Sequence, residues 1–451
     1  MPECPVIRPA VRPAGGKTGR RCLLRPVLFL LCLLPALASC ATHSFRTNEA
    51  RVVPEDFFGV APGNKSLVPG DFPFIDELGA VWFRRTCRWS SLEKTPGNWD
   101  FSDWDYYVAI SKSAGKKLLA ILAYDTPWLF EEKNAPRKIT ARELPRYLNY
   151  VETVVRRYKG KIDAYEIWNE PNLTEWYGTK DEFITMTRAA IKVIRSIDPD
   201  AKILAGAFAR VPKGFIRRMA RAGVFDEADG ISFHPYALNP EGVIRLCDSL
   251  TEVLAEENFS GEIWVTETGY PTKGWYPTRV SEKNFPSHIV KTLAGLAVRN
   301  IRVLLWYELF DLRKPDDVRS TWNSEDFFGI AYPNLTVKAG YRAFSLCGKN
   351  LAGKEYRPEL PLREDLPGRT VSLCFTGEEN TLLVWNESGA SLSARLTLPG
   401  SDRRLYDINT GEYRALDEET EIAITKTPLF FTWKGGCTGS DVSEPALSRL
   451  R

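Results

Sequence analysis

The chain has 451 residues, room for two or three domains, and its 44% hydrophobic and 26% charged residues are the balance of a globular protein that can bury a sizeable core. The formal charge of +3 includes a basic cluster at the start, Arg8, Arg12, Lys17, Arg20, Arg21 and Arg25 against Glu3, so the remainder carries no basic surplus and nucleic acid is not an expected partner. Three His, with no Cys-x-x-Cys and no His/Cys cluster, give no reason to expect a metal site, and nothing points to an organic cofactor.

In chain order, the basic stretch leads into the apolar run Val27–Ala38, too short to span a bilayer but right for the hydrophobic region of a signal peptide. The run ends in Leu37-Ala38-Ser39-Cys40, which resembles a bacterial lipobox. On that reading residues 1–39 are a lipoprotein signal peptide and Cys40 is diacylated as the mature N-terminus. Residues 40–55 then form the lipidated Cys and a polar tether. The alternative is ordinary cleavage with Cys40 incidental. Cys87, Cys247, Cys347, Cys374 and Cys437 remain, widely spaced, and their pairing is not fixed by the sequence.

From residue 56 short apolar runs alternate with helical segments. Eight strands are expected, at Phe57–Ala61, Ala80–Arg85, Lys117–Tyr124, Ile162–Trp168, Lys202–Gly206, Gly230–His234, Glu262–Glu267 and Arg302–Tyr307. Most are continuous runs of aliphatic and aromatic residues, as parallel strands buried on both faces require. Helical spacing is clearest at Ala141–Tyr158, Asp181–Ile197, Pro240–Glu257 and Ser281–Arg299. Eight alternations over residues 56–350 predict an α/β fold, a (β/α)8 TIM barrel. A doubly wound open sheet is the alternative, but no Gly-rich phosphate turn follows the first strand. Beyond about residue 350 helical spacing stops. Short alternating runs take over, at Thr370–Phe375, Thr381–Asn386, Leu392–Leu398, Arg404–Asp407, Glu421–Thr425 and Leu429–Trp433, with turn signals between them. Residues 351–435 therefore read as a smaller antiparallel β-sandwich, and 436–451 as a frayed polar tail.

Barrel proteins build their sites at the C-terminal ends of the strands. There the fourth strand ends in Trp168-Asn169-Glu170-Pro171-Asn172 and the seventh in Val265-Thr266-Glu267-Thr268-Gly269, each setting a carboxylate where an apolar strand meets a turn. Strands four and seven can aim both across one mouth. Paired carboxylates suit glycosidic cleavage, in which one protonates the leaving oxygen while the other attacks or stabilises the oxocarbenium-like centre. Their environments must push the two pKa values apart.

Trp168-Asn169-Glu170-Pro171 resembles the acid/base motif of clan A glycoside hydrolases, a large group of retaining (β/α)8 enzymes, and Thr266-Glu267 resembles that clan's nucleophile strand. The resemblance covers most of residues 57–350 and is nearest in flavour to family 39 and related β-glycosidases, which also carry a β-sandwich. It implies Glu170 as acid/base and Glu267 as nucleophile. It also implies that Arg84 on strand two, with Arg85 as competitor, holds Glu267 ionised, and that Asn169 binds the sugar 2-OH. His234 and Tyr236 after strand six both qualify as the polar group beside the nucleophile. Trp306 on strand eight would form a platform under the sugar, and Trp128 after strand three a second one. Glu166 and Glu308 are left as supporting or structural.

The function expected is hydrolysis of β-linked oligo- or polysaccharides with retention, without metal or cofactor, by an exported enzyme anchored to the bacterial envelope through lipid. A carbohydrate-binding lipoprotein without activity, or a transglycosylase on the same scaffold, remains open at this point.

Overall fold

The computed structural model describes residues 45–449 apart from 64, 131–137, 174, 175, 177, 275–278, 314–322, 361–368 and 436–445. The segment expected to be a signal peptide (residues 1–39), Cys40 and Cys437 lie outside the described residues.

The eight expected strands form and close into a parallel barrel. They are β1 (Phe58–Val60), β2 (Trp82–Thr86), β3 (Lys117–Leu122), β4 (Ala164–Ile167), β5 (Lys202–Ala209), β6 (Gly230–His234), β7 (Glu262–Thr268) and β8 (Val303–Trp306). Closure runs through β8 and β1, with Leu304 opposite Phe58 and Trp306 opposite Val60, which removes the open-sheet alternative. A helix follows each strand: α1 (Phe72–Asp76), α2 (Ser102–Ser113), α3 (Leu144–Tyr158), α4 (Lys180–Ile197), α5 (Lys213–Arg221), α6 (Pro240–Glu256), α7 (Phe285–Ala297) and α8 (Ala339–Leu351). Local chemistry sets the starts of some of them. Thr179 caps α4 by accepting from the Glu182 amide at 3.2 Å, while the Glu182 carboxylate accepts from the Thr179 amide at 2.7 Å. Asn239 caps α6 in the same sense, with Pro240 in the first turn.

Alternation along the strands sorts the apolar residues into two sets. Trp82, Leu119, Ala164, Leu204, Trp264, Val303 and Leu305 fill the barrel interior, where the two indoles meet edge to face at 4.8 Å. The outward residues pack under the helices in the main core. Charges at the N-terminal end of the barrel are consumed in pairs: Asp56 takes Arg302 and Lys117, each at 2.6 Å, and Glu262 takes Lys202 at 2.7 Å. That end braces the barrel and leaves the opposite end for chemistry.

The C-terminal region is antiparallel. Its strands are β9 (Glu355–Tyr356), β10 (Thr370–Thr376), β11 (Glu379–Asn386), β12 (Leu392–Thr397), β13 (Ser401–Tyr406), β14 (Tyr413–Ala415), β15 (Glu419–Ile424), β16 (Leu429–Lys434) and β17 (Ala446–Arg449). The larger sheet runs β9-β10-β11-β16-β13-β14 and the smaller runs β15-β12-β17. Leu373, Phe375, Leu383, Trp385 and Phe430 turn toward the barrel, while Cys374, Leu382, Val384, Phe431 and Trp433 turn toward Leu392, Leu396, Ile422 and Ile424 of the second sheet. A barrel with a two-sheet sandwich beside it is the architecture the sequence predicts.

Two segments differ from expectation. The stretch from residue 45 onward is not a free tether: Phe45 is 2% exposed with its ring edge-on to Trp385, and Arg51–Val52 pairs with β9 at the edge of the larger sheet. The tail expected to fray includes β17, which pairs with β12. Both segments are short and mixed in composition, so neither carries a strand period. Their pairing covers sheet edges that would otherwise expose unpaired amides and carbonyls. Cys87, Cys247 and Cys347 are buried free thiols, and Cys374 is buried as well. No helix among the described residues is long and apolar enough to cross a membrane.

Candidate active site

The choice between Arg84 and Arg85 is settled by parity on β2. Trp82 points into the barrel, so Arg84 does too, while Arg85 turns outward and stacks its guanidinium 4.6 Å from the Tyr107 ring. Arg84 is 4% exposed, and its nitrogens are all engaged by side chains at the barrel's C-terminal end. Nε donates to Glu166 at 2.7 Å, Nη2 donates to Asn169 Oδ1 at 2.8 Å, and Nη1 donates to Glu267. Burial works against the Arg84 charge, but the charges of Glu166 and Glu267 outweigh it and hold the guanidinium more firmly charged than usual.

Glu170 is aimed by a strained turn. Past the end of β4, Trp168 and Glu170 adopt left-handed φ values of 69° and 45°. Such positions cost a non-glycine residue about 1–3 kcal/mol and persist only where the surroundings over-determine them. Here they do. Trp168 is buried edge-on between Tyr124 and Trp176, and the Glu170 amide donates to the Ala207 carbonyl at 2.9 Å. Asn172 clamps the other side of the turn, its Nδ2 donating to the Ala209 carbonyl at 2.9 Å and its Oδ1 accepting from the Ala209 amide at 3.0 Å. The sequence reading gave Asn172 no role.

Glu267 reaches the same mouth through a break in strand register. The β7–β8 pairing slips between Val265 and Thr268. Such a bulge re-aims a side chain, and Glu267 turns to the mouth while Trp264 stays inside. Glu267 Oε1 accepts from Arg84, and Oε2 accepts from the Tyr236 hydroxyl at 2.9 Å. His234, fully buried at the end of β6, bridges the two carboxylates: Nδ1 lies 2.9 Å from Glu170 Oε1 and 3.6 Å from Glu267 Oε2. Arg84 Nη2 sits 3.4 Å from His234 Nε2 and can only donate, so in the neutral ring Nε2 accepts and the proton is on Nδ1, facing Glu170. One ligand atom from each of Glu170, His234 and Glu267 lies within 4.8 Å of the others. That spacing could hold a cation, but the Arg84 guanidinium already supplies the positive charge against Glu267.

The two carboxylates have unlike surroundings. Burial would raise the Glu267 pKa, but the charge of His234 when its ring is doubly protonated, the charge of Arg84 and the hydrogen bonds from Arg84 and Tyr236 outweigh it and hold the carboxyl below the usual range. Burial and the neighbouring Glu267 push the Tyr236 hydroxyl well up, so it remains a donor. The site therefore keeps one carboxylate anionic and presents a second, backed by a histidine, within a few ångströms.

Arg84, Asn169, Glu170, His234, Tyr236 and Glu267 thus come together as one network. Trp306 does not join it. Because Val303 and Leu305 fill the interior, Trp306 points outward, fully buried against Tyr270, Phe285 and Phe344, and it is a core residue rather than a platform. The inward position is Tyr307, half-buried, whose ring lies 6.5 Å from Tyr236 and 5.4 Å from Phe328. The same period-two count along β8 could have named Tyr307 from the sequence. Gly269 admits its backbone, since a Cβ there would lie 1.8 Å from the Tyr307 carbonyl oxygen. Trp128 stays on the rim. Its Nε1 donates to the Glu93 carbonyl at 2.7 Å and its ring packs on Trp89, with no described contact to the carboxylates. Glu166 is the buried acceptor for Arg84. Glu308 is buried near Glu267, and burial with Asp311, Glu325 and Glu267 nearby drives its pKa well above the usual range.

A closed parallel barrel with this carboxylate, histidine and arginine network across its C-terminal mouth has the architecture of the clan A glycoside hydrolases, and the resemblance carried by Trp168–Pro171 extends to the whole fold. The glycosyl hydrolase family 10 model matches residues 72–205, a segment that contains Arg84 and Glu170 but not Glu267. Among curated proteins, the chain is 25% identical over 231 residues to endo-1,4-beta-xylanase A of Phanerodontia chrysosporium, covering 47% of this chain and 55% of that protein. It is 31% identical over 141 residues to endo-1,4-beta-xylanase 3 of Hypocrea jecorina, covering 28% and 38%. The chain thus spans about half, or less, of the length of these relatives. Among solved structures, a family 39 glycoside hydrolase from Bacteroides cellulosilyticus superimposes with a TM-score of 0.69 at 21% identity, covering 84% of this chain and 81% of that one. The family 39 enzyme from Xanthomonas axonopodis pv. citri gives 0.60 at 12% identity, covering 85% and 95%.

Proposed function

We propose that this chain is a retaining glycosidase that cleaves β-glycosidic bonds of oligo- or polysaccharides by double displacement, with Glu267 as nucleophile and Glu170 as acid/base. The observation that carries this reading is the approach of the two carboxylates to within 4.8 Å of each other, through one oxygen each. Retaining enzymes hold the pair about 5–5.5 Å apart, whereas inverting enzymes leave about 6.5–9.5 Å for a water.

In the first step a Glu267 oxygen bonds to the anomeric carbon while that carbon's bond to the leaving oxygen breaks, and Glu170 gives its proton to that oxygen. In the second step water attacks the anomeric carbon and gives its proton to Glu170, and the bond to Glu267 breaks. Arg84 and Tyr236 keep Glu267 anionic and aimed. Nδ1–H of His234 supports Glu170 once it has lost its proton. Asn169, its Oδ1 taken by Arg84, has Nδ2 left to donate to the sugar, and Tyr307 offers a ring face below it. The xylanase names of the curated relatives support β-1,4-linked xylan as the substrate to try first.

The deciding experiment is Glu267→Ala assayed on an activated aryl β-xyloside with azide. Turnover should be lost and then restored as the α-glycosyl azide. A β-azide would exchange the two roles, and a variant as active as wild type would remove Glu267 from the chemistry. The sequence Leu37-Ala38-Ser39-Cys40 further supports export and lipid anchoring. Labelling of the wild type by a clickable fatty acid in a bacterial host, absent in Cys40→Ser, is expected. Equal labelling of the variant would end that part of the reading.

A further inference from the structure

A third carboxylate faces the catalytic pair and neither catalytic role uses it. Glu325 sits on a 3-10 turn (Ser324–Phe327) in the segment after β8. The turn is well anchored. The Phe327 carbonyl accepts from the Thr272 amide at 3.0 Å, Asp326 pairs with Arg313 at 2.7 Å, and the Glu325 amide donates to Asn323 Oδ1 at 3.4 Å. Phe328, next after the turn, packs on Tyr236 and Tyr307 at 5.9 and 5.4 Å, which sets the turn at the mouth. The Glu325 side chain is exposed there and has no hydrogen-bond partner among the described residues. Its charge is felt by Glu267, Glu170, Tyr236, Tyr307 and Glu308, groups carried by four different barrel strands or the turns that end them.

A fold that holds a bare anion beside two others works against its own electrostatics, and such a local conflict marks a functional position. Solvent reaches the Glu325 side chain from outside the mouth, but enclosure by the mouth's walls, with Glu267, Glu170 and Asp326 nearby, pushes its carboxyl up to about 7. Beneath it Glu308 is 1% exposed, and its Oε1 also lacks a hydrogen-bond partner. Arg84, the cation beside the pair, has each of its three nitrogens engaged by Glu166, Glu267 or Asn169.

We infer that Glu325 is a substrate-binding and specificity residue of this site: it accepts hydrogen bonds from hydroxyls of a neutral sugar and repels a sugar that carries a carboxylate. The inference rests on the glycosidase reading and narrows its substrate to neutral pyranosides. Two like charges about 5 Å apart at an effective dielectric of about 20 disfavour each other by roughly a hundredfold in binding. A uronic acid should suffer that factor against its neutral counterpart.

The test compares 4-nitrophenyl β-D-xyloside, β-D-glucoside and β-D-glucuronide with wild type and Glu325→Gln at pH 8, where the carboxylate is ionised. Wild type should favour the neutral glycosides by about a hundredfold or more in kcat/KM over the glucuronide. Glu325→Gln should lower kcat/KM on the neutral glycosides, chiefly through KM, and narrow the discrimination about tenfold or more, with an unchanged melting temperature. Wild-type turnover of the glucuronide at a rate near that of the glucoside would overturn the inference, as would a variant with unaltered KM and discrimination. Titration calorimetry of xylobiose and of glucuronic acid keeps the two readings apart. A wild type that turns over none of the three glycosides yet binds xylobiose more weakly when Glu325 is Gln, and prefers it to glucuronic acid, sinks the glycosidase reading and leaves this one standing.

Discussion

Replacing Arg84 with Met keeps the length of the side chain and removes its charge. In the folded protein the guanidinium touches Glu166, Glu267 and Asn169, and Glu166 is fully buried with its other oxygen already lacking a hydrogen-bond partner. Its loss strands a buried anion, and breaking a buried pair from one side costs about 3–5 kcal/mol. Arg85→Met is the matched control, since it gives up a stacking contact on Tyr107 worth about 0.5–1 kcal/mol. Urea denaturation at pH 7 measures both. Arg84→Met with Glu166→Gln should recover on the order of 1–3 kcal/mol of the loss, because the stranded charge is gone.

The Arg84 variant also shifts a titration. Glu267 is held below the ordinary carboxylate range partly by Arg84. A carboxyl lowered in the folded state contributes stability above its unfolded pKa and loses it as pH falls through the folded value. In Arg84→Met that contribution shrinks, and the acid limb of the pH–activity profile moves to higher pH. A cost below about 1 kcal/mol for Arg84→Met, or an equal cost for Arg85→Met, would refute the assignment of Arg84 to the inside of the barrel.

Two further predictions rest on packing and on a second buried pair. Trp306→Ala should cost about 3–5 kcal/mol in stability with KM unchanged at temperatures where the variant is folded, whereas Tyr307→Ala should raise KM with a smaller stability loss; thermal melts with aryl-glycoside kinetics separate them, and the reverse pattern would restore Trp306 as the platform. Lys338→Met removes the ammonium that lies 2.8 Å from Asp311 Oδ1. Burial already pushes Asp311 up to about 6 despite that partner. An acid whose folded pKa is raised loses stability as pH climbs past its unfolded value and through its folded one. The deficit of Lys338→Met should therefore be small near pH 4 and reach about 3–5 kcal/mol at pH 8; a deficit that does not change with pH would count against the ion pair.

Much of the site was legible because strand ends are legible. The apolar runs marked eight strands, and the polar residues that finish them supplied Arg84, Asn169, Glu170, His234, Tyr236 and Glu267. Residues misread or passed over fall into two kinds. The resemblance put the platform at Trp306, although period two along β8 turns that ring outward and Tyr307 inward. Glu325 carries no sequence signal, since it stands after residues 314–322 in a segment with neither strand nor helix period.

The sequence alone determined the barrel, its neighbouring sandwich and the two carboxylates, because burial on both faces of a strand and strand-end chemistry are written in local order. Only the tertiary structure decided which Arg turns inward, how a register slip on β7 and two left-handed residues after β4 bring Glu267 and Glu170 against one histidine, and that the turn carrying Glu325 sits at the same mouth. Those facts depend on side chains that are far apart in the chain and meet only when the barrel closes, so no window of sequence contains them.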